Sequence, residues 1–226
     1  MIEFFKLYYE HLPAWWPQIV PAIGNTIGLT AGAYMLAVVL GLILAVGKTS
    51  KIGPFRWFCT GYIEVVRGIP SLAILFLLYF GLVPLGIVLD AFTAGFIGLG
   101  LSGSAYIAEV FRAGLEAVHK GQREAALAVG MTPFASFRYI TLPQAIRVVL
   151  PPLLNMLIML LKDSSICSLI STPELMLRAK DLASEYFLPM HVYLLIGVLY
   201  FALAFPLSLL AKMVQKRMSS SRRVTE

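Results

Sequence analysis

The sequence contains few charged residues, only three histidines and only two cysteines. Charged residues make up 13% of its 226 residues, whereas a soluble domain usually carries about a quarter. Hydrophobic residues make up 59%, and the mean hydropathy is +0.82. A chain this poor in polar side chains cannot cover its own core with a water-exposed surface. The composition therefore predicts a membrane protein.

The same scarcity argues against several classes of site. Cys59 and Cys167 stand alone in or beside apolar runs, so we interpret them as buried thiols rather than as a disulfide or metal ligands. The histidines lie in three regions without metal-ligand spacing, and neither GxSxG nor HExxH occurs. The net charge of +6 is scattered between apolar runs and forms no basic stripe. We expect no enzyme, no metal site and no nucleic-acid partner.

Three glycine patterns need an interpretation. "GKT" at residues 47–49 lacks the first glycine of a phosphate-binding loop, because Leu42 is at that position. "GLGLSG" at residues 98–103 matches GxGxxG but lies inside an apolar run, which favours close helix packing over a dinucleotide site. Gly24, Gly28 and Gly32 share one helical face, which would pack either within the protein or against a second copy.

Apolar runs predict five membrane-spanning helices. A span needs roughly 20 mostly apolar residues, and five segments meet or approach that length: residues 20–47, 57–83, 91–110, 145–170 and 190–212.

Lysine and arginine are distributed unevenly between the two predicted sides. If the N-terminus lies outside, fourteen of the eighteen basic residues fall on the inner side, where an excess of basic residues is expected. Five spans then place the C-terminus in the cytoplasm. The fourteen are Lys48, Lys51, Arg56, Arg67, Arg112, Lys120, Arg123, Arg138, Arg147, Lys212, Lys216, Arg217, Arg222 and Arg223.

The connection at residues 109–145, on the predicted inner side, has a distinct local pattern. Residues 122–129 predict a short helix, and Gly130 suits the left-handed residue that ends it. Thr132 fits the N-cap of a second short helix with Pro133 at its first position, and we expect Pro143 to close the unit. The pattern predicts a compact knob; the alternative is an amphipathic connection on the membrane surface.

A motif with fixed spacing runs through this connection. Glu124-Ala125-Ala126 is followed by three residues and Gly130, and then by nine residues and Ile140-Thr141-Leu142-Pro143. This pattern resembles the EAA motif of ABC importer membrane subunits. Residues 61–82, 102–130 and 160–171 also resemble the polar amino acid permease branch of that family, which includes opine permeases. We call residues 109–145 the EAA segment.

The resemblance implies an all-α membrane protein with five transmembrane helices and the type I ABC importer (MetI-like) permease fold, residues 1–226 forming one domain. In that family the EAA segment docks on a cytoplasmic ATPase. The implied partners are an identical or similar permease, two ATPase subunits that bind ATP-Mg, and an extracytoplasmic solute-binding protein; the chain itself would bind no cofactor. The implied ATPase-coupling residues are Glu124, Ala125, Ala126, Gly130, Ile140, Leu142 and Pro143.

Polar residues inside the predicted spans are candidates for a substrate pathway, because charges within a membrane are costly. Glu64 and Arg67 are three residues apart and could pair along a helix, either as an internal salt bridge or as a gate. Ser104 and Tyr106 in the third span could serve the substrate or helix–helix hydrogen bonds.

The fourth span contains Lys162, Asp163, Ser164 and Ser165. A helix that begins near Ala145 places Lys162 about 17 residues in, or ~25 Å along its axis. These side chains could complement the carboxylate and ammonium of an amino acid. The alternative is a helix-end cluster at the outer interface.

The resemblance implies the permease subunit of an ATP-driven importer of polar amino acids or related compounds in the bacterial inner membrane. The alternative is a secondary transporter of small polar solutes that uses an ion gradient and would not need the EAA segment.

Overall fold

The protein is all-α. The computed structural model describes residues 2–220, so Arg222 and Arg223, which entered the orientation argument, lie outside the described part. Within it there is no strand. The α-helices are α1 (Ile2–Lys48), α2 (Gly53–Gly68), α3 (Ser71–Tyr79), α4 (Ala91–Glu116), α5 (Lys120–Ala128), α6 (Pro133–Ser136), α7 (Leu142–Asp163), α8 (Leu175–Tyr186) and α9 (Pro189–Ser220). The other helices are the 3-10 helices Val83–Leu85 and Ser164–Ile170 and the π-helix Phe137–Thr141.

Four helical stretches are long and apolar enough to cross a membrane, and one bent pair of helices is a fifth candidate. The four are Phe4–Lys48, Ala91–Glu116, Pro133–Ile170 and Pro189–Met218, in agreement with the first, third, fourth and fifth predicted spans. The first helix is longer than predicted. At about 1.5 Å per residue, the 47 residues of α1 extend roughly 70 Å, more than twice the ~30 Å of a bilayer's hydrocarbon core.

The second predicted span is a bent pair rather than one straight helix. α2 and α3 meet at an angle of 105°. Pro70 has no N–H, and its ring disfavours a helical conformation of the residue before it. Ile69 is accordingly extended, with φ −104° and ψ 135°. The structure corrects the shape of this span, and the count is five if the bent pair crosses the membrane.

The fourth span continues beyond Leu161, as predicted, but its helix type changes. α7 includes Lys162 and Asp163, and the chain then tightens into the 3-10 helix Ser164–Ile170. Ser171, in the left-handed conformation with φ 62°, ends this helix. The backbone therefore changes geometry directly after the charged pair.

α4 lies at the centre of the packing and contacts α1, α2, α3 and α7. Its contact with α1 buries Leu29 and Ala33 of α1 together with Leu99 and Ile107 of α4. Lipid chains are as apolar as these side chains, so the association of the two helices depends on van der Waals fit rather than on the exclusion of water.

Glycines of α4 allow this fit. A Cβ built on Gly100 would lie 2.6 Å from Leu36 Cδ2, and one on Gly103 would lie 3.2 Å from Ala37 Cβ. These distances leave no room for a larger residue at Gly100. The GxGxxG letters therefore serve close helix packing, as the sequence predicts.

The glycine face of α1 packs within the protein at two of its three positions. A Cβ on Gly28 would lie 3.7 Å from the ring of Phe92, and one on Gly32 would lie 3.7 Å from the ring of Phe96. Both rings belong to α4. A Cβ on Gly24 would meet no atom within 4 Å, so this position is open.

The end of α1 packs on α2. A Cβ on Gly47 would overlap with Cys59 Sγ, and Lys48 is the last residue of α1. The "GKT" letters therefore stand at the end of a helix, in agreement with the predicted end of the first span at residue 47. Cys59 and Cys167 are both buried and free, in agreement with their interpretation as isolated thiols.

Replacing Gly100 by alanine should destabilise the protein, because the new Cβ would lie 2.6 Å from Leu36 Cδ2 and 3.0 Å from Leu36 Cβ. Overpacking of this kind costs about 1–3 kcal/mol, so the purified variant should unfold at a lower temperature in a thermal scan. Gly61→Ala in α2 is the control, because a Cβ there meets no atom within 4 Å. Equal unfolding temperatures for the two variants would contradict the close approach of α1 and α4.

Candidate functional site

The EAA segment begins in the last turns of α4, and the first of its two short helices, α5, ends in a fixed geometry. The Gly130 N–H donates to the Leu127 carbonyl at 3.0 Å, and the Met131 N–H donates to the Ala126 carbonyl at 3.1 Å. This pair of bonds is the Schellman pattern of helix ends, which needs a left-handed residue. Gly130 supplies it with φ 86°, so the predicted end of the helix is confirmed.

The second short helix, α6, begins as predicted. Pro133 stands at its first turn, and Thr132 Oγ1 accepts a hydrogen bond from the Ala135 N–H at 3.2 Å. The cap satisfies one of the N–H groups that a helix start leaves unpaired. The turn between α5 and α6 therefore has a defined geometry rather than that of a floppy loop.

The other end of the unit differs from the prediction. Pro143 does not close it, because α6 continues through the π-helix Phe137–Thr141 directly into α7. Pro143 lies in the first turn of α7, where its missing N–H is tolerated. The Leu142 N–H donates to the Phe137 carbonyl five residues back, the wider turn that defines a π-helix. A movement of the EAA segment would thus act on α7 without an intervening loop.

The predicted coupling residues differ in exposure. Glu124 and Ala125 are exposed, Ala126 is buried, Ile140 and Leu142 are half-buried, and Pro143 is exposed. Ala126 thus faces the protein while Glu124 and Ala125 face away from it.

Sequence reasoning missed a group of large apolar side chains on the EAA segment. Val129 is 79% exposed, Phe134 76% and Tyr139 68%. Exposed apolar side chains outside the bilayer favour a contact surface. The signal in the sequence is the placement of apolar residues on both sides of Gly130.

The polar residues of the second span do not pair as expected. No ion pair joins Glu64 to Arg67 among the described residues. Glu64 Oε1 instead lies 3.9 Å from Lys48 Nζ, and the Arg67 guanidinium carbon lies 5.7 Å from the ring centroid of Tyr106. The bend after Gly68 and the approach of α4 decide these partners, and neither can be read from a three-residue spacing.

α4 presents hydroxyl groups to both halves of the bent span. Ser104 is buried, donates to the Leu101 carbonyl at 2.7 Å and lies 3.0 Å from the Tyr62 hydroxyl of α2. Ser102 Oγ lies 2.9 Å from Ser71 Oγ at the start of α3. Ser104 is thus held in helix–helix hydrogen bonds, the alternative that the sequence leaves open for it.

The polar group in the fourth span divides into two pairs. The Ser164 and Ser165 hydroxyls each donate to a carbonyl three residues back, at 2.7 Å, so the helix itself uses them. Lys162 is exposed and Asp163 half-buried. Within residues 2–220 neither side chain makes a hydrogen bond or a close ion pair. Of these four residues, only Lys162 and Asp163 therefore keep their charged groups available to bind a ligand.

The polar residues of the bent span and the polar residues of the fourth span lie at the same level along α4. A Cβ on Gly103 would lie 3.4 Å from Leu160, two residues before Lys162 in α7. Ser102 and Tyr106, which face Ser71 and Arg67, are neighbours of Gly103 in α4. The bent span and the fourth span thus both pack on α4, and the described chain shows no direct contact between Arg67 and Lys162 or Asp163.

A buried carboxylate that the sequence analysis did not single out holds the segment after the 3-10 helix. Glu174 caps α8 by accepting hydrogen bonds from the Met176 and Leu177 N–H groups, at 2.8 and 2.7 Å. The Tyr200 hydroxyl of α9 donates to it at 2.6 Å. Burial raises the pKa of the Glu174 carboxyl, although these hydrogen bonds offset part of the shift. Its place before α8 in "TPELML" is the signal of a helix start.

Comparison with known proteins identifies relatives along most of the chain. Residues 37–220 match the profile of a family described as "Binding-protein-dependent transport system inner membrane component". The probable amino-acid ABC transporter permease YckA of Bacillus subtilis (strain 168) is 38% identical over 89% of this chain and 89% of its own length. The probable glutamine ABC transporter permease GlnM of the same organism is 40% identical over 81% of this chain and 85% of its own length.

Solved structures share the fold. The crystal structure of an amino acid ABC transporter with histidines superposes with a TM-score of 0.87 at 38% identity, covering 91% of this chain and 96% of that one. The methionine ABC transporter MetNI, in an inward-facing conformation, superposes with a TM-score of 0.69 at 20% identity, over 89% and 98% of the two chains. The second likeness shows the fold alone.

Thr132→Val should loosen the turn of the EAA segment, because it removes the acceptor for the Ala135 N–H while keeping the side chain's volume. Loss of an N-cap costs about 1 kcal/mol, so amide hydrogen exchange at residues 133–141 should be roughly fivefold faster by mass spectrometry. Thr60→Val in α2 is the control, since no hydrogen bond of its hydroxyl is present in the described chain. Equal exchange in both variants would show that the cap does not hold the turn.

Proposed function

The chain belongs to the family of binding-protein-dependent transport system inner membrane components and is the permease subunit of an ABC importer, and we propose that it carries polar amino acids or related compounds across the membrane. It is a multi-pass inner-membrane transport subunit and not an enzyme. This membership decides against the secondary transporter that the sequence leaves open. The permease YckA is called an amino-acid transporter and GlnM a glutamine transporter, which supports the proposed class of substrate.

The observation that carries the coupling proposal is the geometry of the EAA segment. Its two short helices are joined by a Schellman turn at Gly130 and a cap at Thr132. The exposed side chains of Val129, Phe134 and Tyr139 give it an apolar surface, beside the exposed Glu124. We propose that this surface docks on the ATPase, because a rigid unit can transmit a displacement that a flexible loop would absorb.

The proposed assembly has several chains. Two copies of the protein, or one copy with a similar permease, would enclose the pathway. Two ATPase subunits, which bind ATP-Mg, would dock on the EAA segments, and a solute-binding protein would deliver the substrate on the other side. Residues 1–226 would act as a single permease domain with its N-terminus outside and its C-terminus in the cytoplasm, which the distribution of basic residues supports.

We propose that the substrate passes the polar side chains on either side of α4. Lys162, Asp163, Arg67 and Tyr106 keep polar groups available there, whereas Glu64 approaches Lys48, and Ser104, Ser164 and Ser165 are bonded within the helices. A zwitterionic amino acid offers a carboxylate to the cations and an ammonium to the aspartate. The ligand retained by the cognate binding protein on purification would identify the substrate by mass spectrometry.

Glu124→Gln and Gly130→Ala should uncouple transport from ATP hydrolysis while leaving membrane insertion intact. A Cβ on Gly130 would meet no atom within 4 Å, so alanine acts there only through the strain of φ 86°, about 1–2 kcal/mol. The measurement is the uptake of radiolabelled L-amino acids per ATP hydrolysed, in proteoliposomes containing the complete transporter.

Gly197→Ala in α9 is the matched control for this experiment. A Cβ there also meets no atom within 4 Å, and the backbone at Gly197 is not left-handed. We expect this variant to transport like the unaltered protein. Unchanged transport per ATP in both the Glu124 and Gly130 variants would defeat the coupling proposal.

Asp163→Asn should lower uptake, because it removes the negative charge at nearly constant volume. Loss of a charge-assisted contact corresponds to about a tenfold reduction in transport, and the concentration dependence of uptake would show it. Asp181→Asn, on the exposed surface of α8, is the control and should have little effect. Full uptake by the Asp163 variant would support the alternative of a helix-end cluster.

A further inference from the structure

Five charged side chains form a continuous chain at the start of the EAA segment. Lys48 Nζ lies 2.7 Å from Glu109 Oε1, and Glu109 Oε2 accepts hydrogen bonds from Arg112 Nε at 2.9 Å and Nη2 at 2.7 Å. Arg112 Nη1 continues to Glu116 Oε2 at 2.5 Å. At the other end, Glu64 Oε1 lies 3.9 Å from Lys48. The charges alternate in sign and link α2, α1 and α4.

The middle of this chain is shielded from solvent and its ends are not. The side chains of Glu109 and Lys48 are 18% and 22% exposed, whereas those of Glu64 and Glu116 are 64% and 63% exposed. Exposed ion pairs contribute little, but short charge-assisted hydrogen bonds away from water are stronger. The removal of one partner would leave the other as a poorly compensated charge. The contact between Glu109 and Lys48 is therefore the strong link.

The position of this link relates it to the EAA segment. Lys48 is the last residue of α1, and Glu116 is the last residue of α4, separated from the start of α5 by three residues. On another face of the same end of α4, a Cβ on Gly114 would overlap with Val149 of α7. α4 and α7, in which the EAA segment begins and ends, are therefore in contact with each other, and Glu109 connects α4 to α1.

We infer that Glu109 is a positioning residue for the coupling of ATP hydrolysis to transport. By binding Lys48, it makes the end of α1 follow α4 when α5 moves, and α2 follows through its packing on α1. This inference rests on the proposed function. The competing explanation is that the apolar cluster around Leu44, Ala45 and Ile63 joins these helices without help from the ion pair.

The test uses the complete transporter in proteoliposomes with a panel of radiolabelled L-amino acids. Glu109→Gln should lower the amount transported per ATP hydrolysed by about fivefold, while the rate of ATP hydrolysis stays within about twofold. Lys48→Met should have the same effect. Because the two changes share the Glu109–Lys48 contact, the loss in the double variant should be clearly smaller than the combined losses of the two single variants. Lys48→Arg keeps the positive charge and should retain most of the coupling. If Lys48 only filled space, Lys48→Met would retain the coupling as well.

Lys51→Met is the control, since Lys51 is exposed and has no ion pair within the described residues; it should couple normally. Normal transport per ATP in Glu109→Gln, alongside a loss in Gly130→Ala, would overturn this inference and leave the proposed function standing. Additive effects in the double variant would also overturn it, since the two residues would then act separately. If the unaltered complex transported no amino acid, the proposed function would fail with it.

Discussion

The structure depends on the close approach of α4 to α1. In a membrane the exclusion of water gives helices no reason to associate, so the two helices must fit through van der Waals contact. Gly100 and Gly103 allow Leu36 and Ala37 to reach the backbone of α4. α3 packs on α4 through Ser102, and α7 approaches α4 at Gly103, beside the contact with α1. This arrangement brings the bent span and the fourth span, which carry most of the polar positions proposed for the pathway, against α4.

Two departures from regular α-helix lie beside those polar positions. The second span bends by 105° before Ser71, and the fourth changes to a 3-10 helix directly after Asp163. Irregular backbone within a membrane is tolerated only where protein buries it or where it lines a water-filled cavity. The bend is faced by Ser102 of α4, and Arg67 beside it is exposed. Both departures are therefore consistent with a polar route along α4.

The EAA segment has the properties expected of a mechanical connection. Its turn is closed by hydrogen bonds at Gly130 and Thr132, and it passes into α7 through a π-helix without a loop. At its other end Glu109 ties α4 to the last residue of α1. A displacement applied at α5 would thus reach three long helices. A flexible connection or an isolated α4 would dissipate the same displacement.

The sequence by itself determined the class of the protein, the approximate spans and the two short helices around Gly130. These follow from local rules: apolar length, the left-handed preference of glycine and the capping of helices by threonine. The resemblance of the EAA segment pointed to the family. The role of GxGxxG in packing was also predictable, because its letters lie in an apolar run.

Only the tertiary structure decided the partners of the charged residues. Glu64 and Arg67 have a spacing that permits pairing, yet Glu64 approaches Lys48 and Arg67 lies over Tyr106. The sequence likewise does not predict the angle at Pro70 or the burial of Glu174. Nor does it predict the contact of Glu109 with Lys48, 61 residues away in the chain. Such pairings depend on which helix faces meet, and this is set by the packing of all the helices together rather than by any local run of residues.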